Sequence, residues 1–300
     1  MPIIIPKDIP AFEILQSEKV FVMPRARAVQ QDIRPIEIAI VNLMPTKVET
    51  ETQLMRLLSN SPLQVNVTLI NTATHRSKNI SQTHLDRFYK TFDEIKDRHF
   101  DGMIITGAPV ETIEFEQVDY WEELKSIMNF AETNVTSTIY ICWGAQAGLY
   151  YHYGIEKHVL NEKLFGVFGH EKVSADPLLK GADDVIFIPH SRHTEVFEKD
   201  IRDCNDLEIL VRSDATGATI IKSGDGKKIF ITGHAEYDRD TLKKEYYRDV
   251  DKGLKINPPV NYFTDEAKND VCVRWASFAN ILYTNWLNYY VYQVTPFSFD

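Results

Sequence analysis

One apolar run in this chain ends on a cysteine and passes directly into helix-compatible residues. In Ser137-Thr138-Ile139-Tyr140-Ile141-Cys142-Trp143-Gly144-Ala145-Gln146-Ala147-Gly148 the β-branched and aromatic residues predict a buried strand, and small residues follow with no turn-length gap. A chain that runs straight from strand into helix is committed to an α/β sheet, with Cys142 at the bend. There the free N–H groups and the dipole of the helix N-terminus favour thiolate over thiol. Ile229-Phe230-Ile231-Thr232-Gly233-His234-Ala235-Glu236 repeats the design, placing an imidazole and a carboxylate after another strand. Residues two apart on an extended backbone face the same side, so Glu236 can hold His234 in one tautomer. Cys142, His234 and Glu236, each beyond the C-terminal end of a strand, form the pattern of a catalytic triad. The plainer readings are a buried structural cysteine and an incidental His-x-Glu turn. The two strand-turn contexts together favour catalysis.

Composition narrows the function. With 33 basic and 43 acidic side chains the net charge is −10, which argues against a nucleic-acid partner. The three cysteines, Cys142, Cys204 and Cys272, have no CxxC spacing, so neither a disulfide framework nor a metal site is expected. A reducing cytoplasm is the expected compartment. Ile3-Ile4-Ile5 is bracketed by Pro2 and Pro6 with no long apolar core after it, so no leader or membrane span is expected.

Strands and helices alternate along the chain. Residues 1–34, with Pro2, Pro6, Pro10 and Pro24, read as an extended N-terminal arm. Strands are expected at 36–43, 65–70 and 100–107, with helices at 48–58 and 121–132 before the Cys142 strand. Further strands are expected at 185–188, 207–211, 218–222 and 228–231, and a long aromatic-rich helix at 267–291. Strand–helix–strand order predicts a mostly parallel sheet with right-handed crossovers, and the close spacing after 183 predicts antiparallel additions. The simplest organisation is one catalytic domain, with the arm at 1–34, an α/β core at 35–255 and a C-terminal helical extension at 256–300.

Two backbone positions are candidates for an oxyanion hole. The N–H of Trp143 follows the nucleophile, and Gly107-Ala108-Pro109 closes the third strand at the sheet edge where ligands gather. Cys204 and Cys272 read as structural, the latter in the late helix. His190 and His193 read as lining the site.

A cysteine at an elbow with a distant His-x-Glu resembles the class I glutamine amidotransferase fold, a flavodoxin-like sheet flanked by helices. One departure is Tyr140, where those enzymes usually have glycine two residues before the nucleophile. Asn42-Leu43-Met44-Pro45-Thr46-Lys47, Thr106-Gly107-Ala108-Pro109, Cys142-Trp143-Gly144-Ala145-Gln146-Ala147, Pro189-His190-Ser191-Arg192 and Gly233-His234-Ala235-Glu236-Tyr237 resemble the homoserine O-acyltransferase family, over about residues 1–296. The resemblance implies acyl transfer from acetyl-CoA to L-homoserine through a Cys142 thioester, with His234 as base and Glu236 as its orienting carboxylate. It implies substrate binding by Lys163, Ser191 and Arg248, and acyl-donor selection at Glu111. A guanidinium at Arg248 suits a bidentate carboxylate. Glu245, three residues earlier on the same helix face, suits an α-ammonium. Lys47, after the first strand, is an oxyanion candidate. No cofactor beyond the acetyl-CoA co-substrate is expected, and a homodimer is. Glu111 would repel a succinyl carboxylate, which disfavours a homoserine O-succinyltransferase. A glutamine amidotransferase-type hydrolase would need an acceptor partner or domain. A redox-sensing or chaperone-like protein with a reactive cysteine would not need His234 and Glu236 together.

Overall fold

The structure is a computed structural model that describes residues 3–28, 34–74 and 80–295. Residues 1–2 and 29–33 of the expected arm, and 296–300 of the expected extension, lie outside the described residues. The strands are β1 (Ile3–Ile4), β2 (Val22–Met23), β3 (Ile36–Val41), β4 (Val65–Ile70), β5 (Tyr89–Lys90), β6 (Phe100–Ile105), β7 (Val135–Ile141), β8 (His158–Lys172), β9 (Val185–Glu195), β10 (Leu207–Ser213), β11 (Gly217–Ser223) and β12 (Lys228–Ile231). They join in one sheet ordered β2-β1-β4-β3-β6-β7-β12-β11-β10-β8-β9, with β5 on β4. Pairing is parallel from β2 through β12. It is antiparallel from β12 to β9.

The helices are α1 (Pro10–Ser17), α2 (Arg25–Ala28), α3 (Lys47–Ser59), α4 (Gln82–Phe88), α5 (Trp121–Asn134), α6 (Trp143–Tyr153), α7 (Glu198–Arg202), α8 (Thr241–Asp251) and α9 (Ala276–Asn285), the last continuing as a π-helix over Trp286–Tyr292. Alternation within the central strands builds two apolar layers. Ile38, Ile40, Ile104, Ile139, Ile141, Ile229 and Ile231 face α3 and α9. Ala39, Val41, Met103, Ile105, Tyr140 and Phe230 face α5 and α6.

Four expectations change. The N-terminal segment is not simply extended, because Ile3, Ile4 and Ile5 are buried and β1 docks on β4, with α1 between β1 and β2. The β9 strand runs through Pro189 to Glu195, since β9 closes the sheet order and an edge strand tolerates a residue without an N–H. The 15-residue β8 has no counterpart among the expected strands. The late helix begins at Ala276, not 267, because the Asp265 carboxylate accepts from the N–H groups of Asn269 and Asp270 and fixes a turn there. Cys272 therefore lies before that helix, its N–H bonded to the Tyr262 carbonyl.

Candidate active site

The carboxyl ends of β3, β6, β7 and β12 carry the loops that form the site. Backbone ladder bonds continue past the strands, from Thr106 N–H to Val41 and from Cys142 N–H to Ile231, so the loops leave the sheet in register. Cys142 has φ 51° and ψ −115°, a conformation that a residue with Cβ avoids. What enforces it is the immediate start of α6 at Trp143 and the contact of Gly144 with β6, where a Cβ would stand 2.6 Å from the Thr106 carbonyl oxygen. The strained turn lifts the Cys142 sulfur off the sheet at the N-terminus of α6, whose first N–H groups have no partner within the helix.

His234 follows β12, its N–H bonded to the Pro189 carbonyl at 2.8 Å. Its Nδ1 lies 2.7 Å from Glu236 Oε1, which leaves Nε2 to face Cys142, and both Cys142 and His234 line the same cavity. Tyr237 stacks on the imidazole at 4.1 Å between centroids. Burial alone depresses the imidazole pKa, but the cysteine and the Glu236 carboxylate outweigh it and hold His234 well above the usual histidine range. The structure thus brings together the three residues that the strand-turn patterns single out.

Cys142 and His234 open on a cavity of about 470 Å³. Lys163, Ser191, Glu245, Arg248 and Glu111 all line it. Ser191 Oγ donates to Glu245 at 2.6 Å, and Tyr237 Oη donates to the other Glu245 oxygen at 2.9 Å. Lys163 Nζ donates to Asp249 at 3.1 Å and stands 4.0 Å from Glu245. Arg248 Nε donates to the other Asp249 oxygen at 2.8 Å. Burial pushes the Asp249 carboxyl up, but Arg248 and Lys163 together hold it below the usual carboxylate range. One end of the cavity therefore presents alternating cations and carboxylates, the array that suits a zwitterionic amino acid.

Glu111 sits in the Val110–Ile113 turn beyond β6, and its carboxylate accepts from the backbone N–H of His193. Burial raises its pKa, and the His193 N–H offsets part of that. Gly107 lies against Cys142, since a Cβ there would be 3.3 Å from Cys142 Cβ and 3.6 Å from His234 Cε1.

Some expected residues are placed elsewhere. Lys47 is buried at the start of α3 and absent from the cavity lining; its Nζ donates back to the Asn42 carbonyl and lies over the Tyr89 ring. Burial lowers its pKa to about 8 against the opposing pull of Glu51. His193 lines the cavity, but His190 does not. It is fully buried under Gly233, its Nε2 3.1 Å from that of His170. Residues without an assigned role from sequence also appear. Tyr237 touches both His234 and Glu245, and Asp249 joins Lys163 to Arg248. Thr194 accepts from Gln146 through its carbonyl and donates to the same amide through Oγ1, tying β9 to α6. For Tyr237 the available signal was its place three residues after His234; Asp249 looked like one of many surface acids.

Among the described residues no group of three or more His, Cys, Asp or Glu could hold a metal. None of their helices is long and apolar enough to cross a membrane.

The topology defines a fold class: an α/β protein with the class I glutamine amidotransferase fold and a cysteine at its strand-to-helix bend. A glutamine amidotransferase from Thermotoga maritima superposes with TM-score 0.58 at 12% identity, over 85% of this chain and 98% of its own. One from Methylobacillus flagellatus does so with TM-score 0.57 at 14% identity, over 86% and 95%. The chain belongs to the homoserine O-succinyltransferase family, which it matches over residues 2–297. Relatives include homoserine O-acetyltransferases of Petrotoga mobilis, 56% identical over 100% of this chain and 98% of theirs, and of Clostridium novyi, 58% identical over 99% of both.

Proposed function

We propose that this protein is a homoserine O-acetyltransferase, which transfers the acetyl group of acetyl-CoA to the hydroxyl of L-homoserine in methionine biosynthesis. The observation that carries the reading is a Cys142–His234–Glu236 array sharing one cavity with a paired-charge subsite and the Glu111 carboxylate. In the first half-reaction the Cys142 sulfur attacks the thioester carbonyl. The C–S bond to CoA breaks, the proton held by His234 passes to the leaving CoA thiolate, and Cys142 carries the acetyl group. In the second, neutral His234 takes the hydroxyl proton of homoserine as its oxygen attacks, and the cysteine leaves as thiolate beside imidazolium. A weakly acidic alcohol needs such a positioned base. The N–H groups of Trp143 and the Gly107–Ala108 segment stabilise the oxyanion.

Glu245, supported by Ser191 and Tyr237, receives the α-ammonium of homoserine, while Arg248 and Lys163 receive its α-carboxylate. Both half-reactions run in one cavity with no cofactor beyond the co-substrate. The setting is the cytoplasm, and the working form is a homodimer.

The family's succinyl description leaves the donor as the point to decide. A succinyl carboxylate next to ionised Glu111 in a partly dry pocket costs on the order of a few kcal/mol, enough to exclude it. The test is mass spectrometry of Cys142 after exposure to acetyl-CoA or succinyl-CoA alone, followed by homoserine-dependent CoA release. One acetyl group on Cys142, discharged by homoserine, is the expected result. Absence of CoA release with either donor would sink the reading, and glutamine hydrolysis would replace it with a glutaminase.

A further inference from the structure

The Glu111 carboxylate can act on a donor only if its backbone is fixed, and a four-residue turn at the protein surface does not fix itself. The Val110–Ile113 turn is closed by one bond, from Ile113 N–H to the Val110 carbonyl. Ile113 is 40% exposed. Lys157, between α6 and β8, lies 46 residues from Glu111 in sequence and reaches across to this turn. Its Nζ donates to the Glu111 carbonyl at 2.6 Å and to the Ile113 carbonyl at 2.6 Å, and lies 4.8 Å from the centre of the Phe115 ring. Phe115 in turn stacks on Tyr150 of α6 at 4.7 Å and on Trp121 of α5 at 5.2 Å. The ammonium therefore bridges the turn to the aromatic cluster at its base, which is anchored on the nucleophile helix. Lys157 does not line the cavity.

We propose that Lys157 is a positioning residue for acyl-donor selection: by holding the carbonyls of Glu111 and Ile113 it fixes the turn whose carboxylate His193 N–H then orients into the cavity. The proposal rests on the acyltransferase reading and on Glu111 as its donor filter. Without Lys157 two carbonyls lose a charged donor, the turn swings, and the Glu111 carboxylate spends less time where a succinyl group would lie. Glu245 and Arg248 make their hydrogen bonds to Ser191, Tyr237 and Asp249 and none of these to the turn, so they keep their places.

The experiment measures kcat/KM for acetyl-CoA and succinyl-CoA with wild type, Lys157→Met, Lys157→Arg, Glu111→Gly and the Lys157→Met/Glu111→Gly pair. In Lys157→Met the acetyl-to-succinyl ratio is expected to fall about tenfold, with the KM for homoserine within about twofold of wild type. Lys157→Arg, which still donates to both carbonyls, is expected to keep the ratio. In the Glu111→Gly background the methionine substitution is expected to leave the ratio where Glu111→Gly alone puts it. An unchanged ratio in Lys157→Met, or a further fall in the double variant, overturns the role of Lys157 while the acyltransferase reading stands. A wild type that uses neither donor, or a Glu111→Gly ratio equal to wild type, overturns it through the reading on which it rests. If Lys157→Met does not fold, Lys157→Gln, with one amide donor in place of the ammonium, is expected to give a smaller fall in the same direction, and an unchanged ratio there overturns the proposal.

Discussion

At the scale of single residues the site works through charges held where water would otherwise disperse them. His234 is nearly inaccessible, and its positive form is sustained by Cys142 on one side and Glu236 on the other. Glu236→Gln keeps the shape and removes the charge. It is expected to lower kcat by about 10²–10⁴-fold, the range for a triad carboxylate. Because the lost carboxylate stabilised imidazolium, the pKa of His234 falls, and the alkaline limb of the kcat/KM profile for acetyl-CoA moves to lower pH. An unmoved limb would mean that Glu236 acts by shape alone. Glu111 gives a second pH signature. Burial raises its pKa, so its charge is complete only above that raised value and is lost as pH falls through it. Discrimination against succinyl-CoA is expected to weaken toward acid pH in wild type and to stay flat with pH in Glu111→Gln. Taking the ratio of the two donors cancels every titration that both reactions share. Sequence could name Glu236 from its spacing to His234. It could not place Lys47, whose long side chain turns back onto Asn42 and Tyr89 instead of reaching the cavity.

Among the elements, the strand-to-helix bend at Cys142 is the least tolerant of change. A methyl group at Gly144 would meet two backbone oxygens of the β6 end, those of Thr106 at 2.6 Å and Ile105 at 2.9 Å. Backbone cannot rotate away as a side chain would, so Gly144→Ala must push α6 off β6. It is expected to cost about 1–3 kcal/mol of stability by overpacking. Displacing Cys142 by an ångström is expected to cost a further factor of about 10² in kcat/KM. Gly224→Ala is the control. Its nearest neighbour is the Asp206 oxygen at 3.7 Å, and the expected change is within about 0.5 kcal/mol. Urea melts and initial rates on both variants separate the two cases. The elements that sequence revealed best are those with one dominant environment. Strands β3, β6, β7 and β12 place apolar residues in both layers because helices cover both faces. The β8 strand was opaque because it mixes Glu162, Lys163, Gly166 and Gly169 in one run, with one face half-exposed. Its Gly166 is needed by a partner far along the chain, for a Cβ there would lie 2.5 Å from the Val260 nitrogen and oxygen. No local pattern can announce a contact of that kind.

In the molecule as a whole, contacts between segments far apart in sequence brace the centre of the sheet. Arg34 and the N–H of Glu37 both bond the Asp101 carboxylate at 2.8 Å, joining the start of β3 to β6. From the other end, α9 and its π-helical continuation lie across the face of β6 and β7 opposite α5 and α6. Trp286 is fully buried there, its Nε1 donating to Ser137 Oγ at 3.0 Å, and its ring fills the space that a Cβ on Gly102 would occupy. The three- and four-residue spacing of Trp275, Phe278, Ile281, Leu282 and Trp286 made an apolar helix face legible, but the pairing with Gly102 and Ser137 depends on folding across more than a hundred residues. Trp286→Ala removes a large side chain from a layer that it shares with Ile38, Ile104 and Ile139. The cavity left behind is expected to cost about 3–5 kcal/mol, a large fraction of the stability of any single domain. Among the described residues none beyond Leu254 lines the active-site cavity, so the folded fraction of the variant is expected to keep both its donor ratio and its KM for homoserine. Chemical denaturation followed by tryptophan fluorescence, read beside the donor assay at low temperature, checks both halves. A lower unfolding midpoint with unchanged specificity places Trp286 in the support of the sheet. A changed donor ratio at full folding would show that the face behind β6 and β7 reaches the site through the sheet itself.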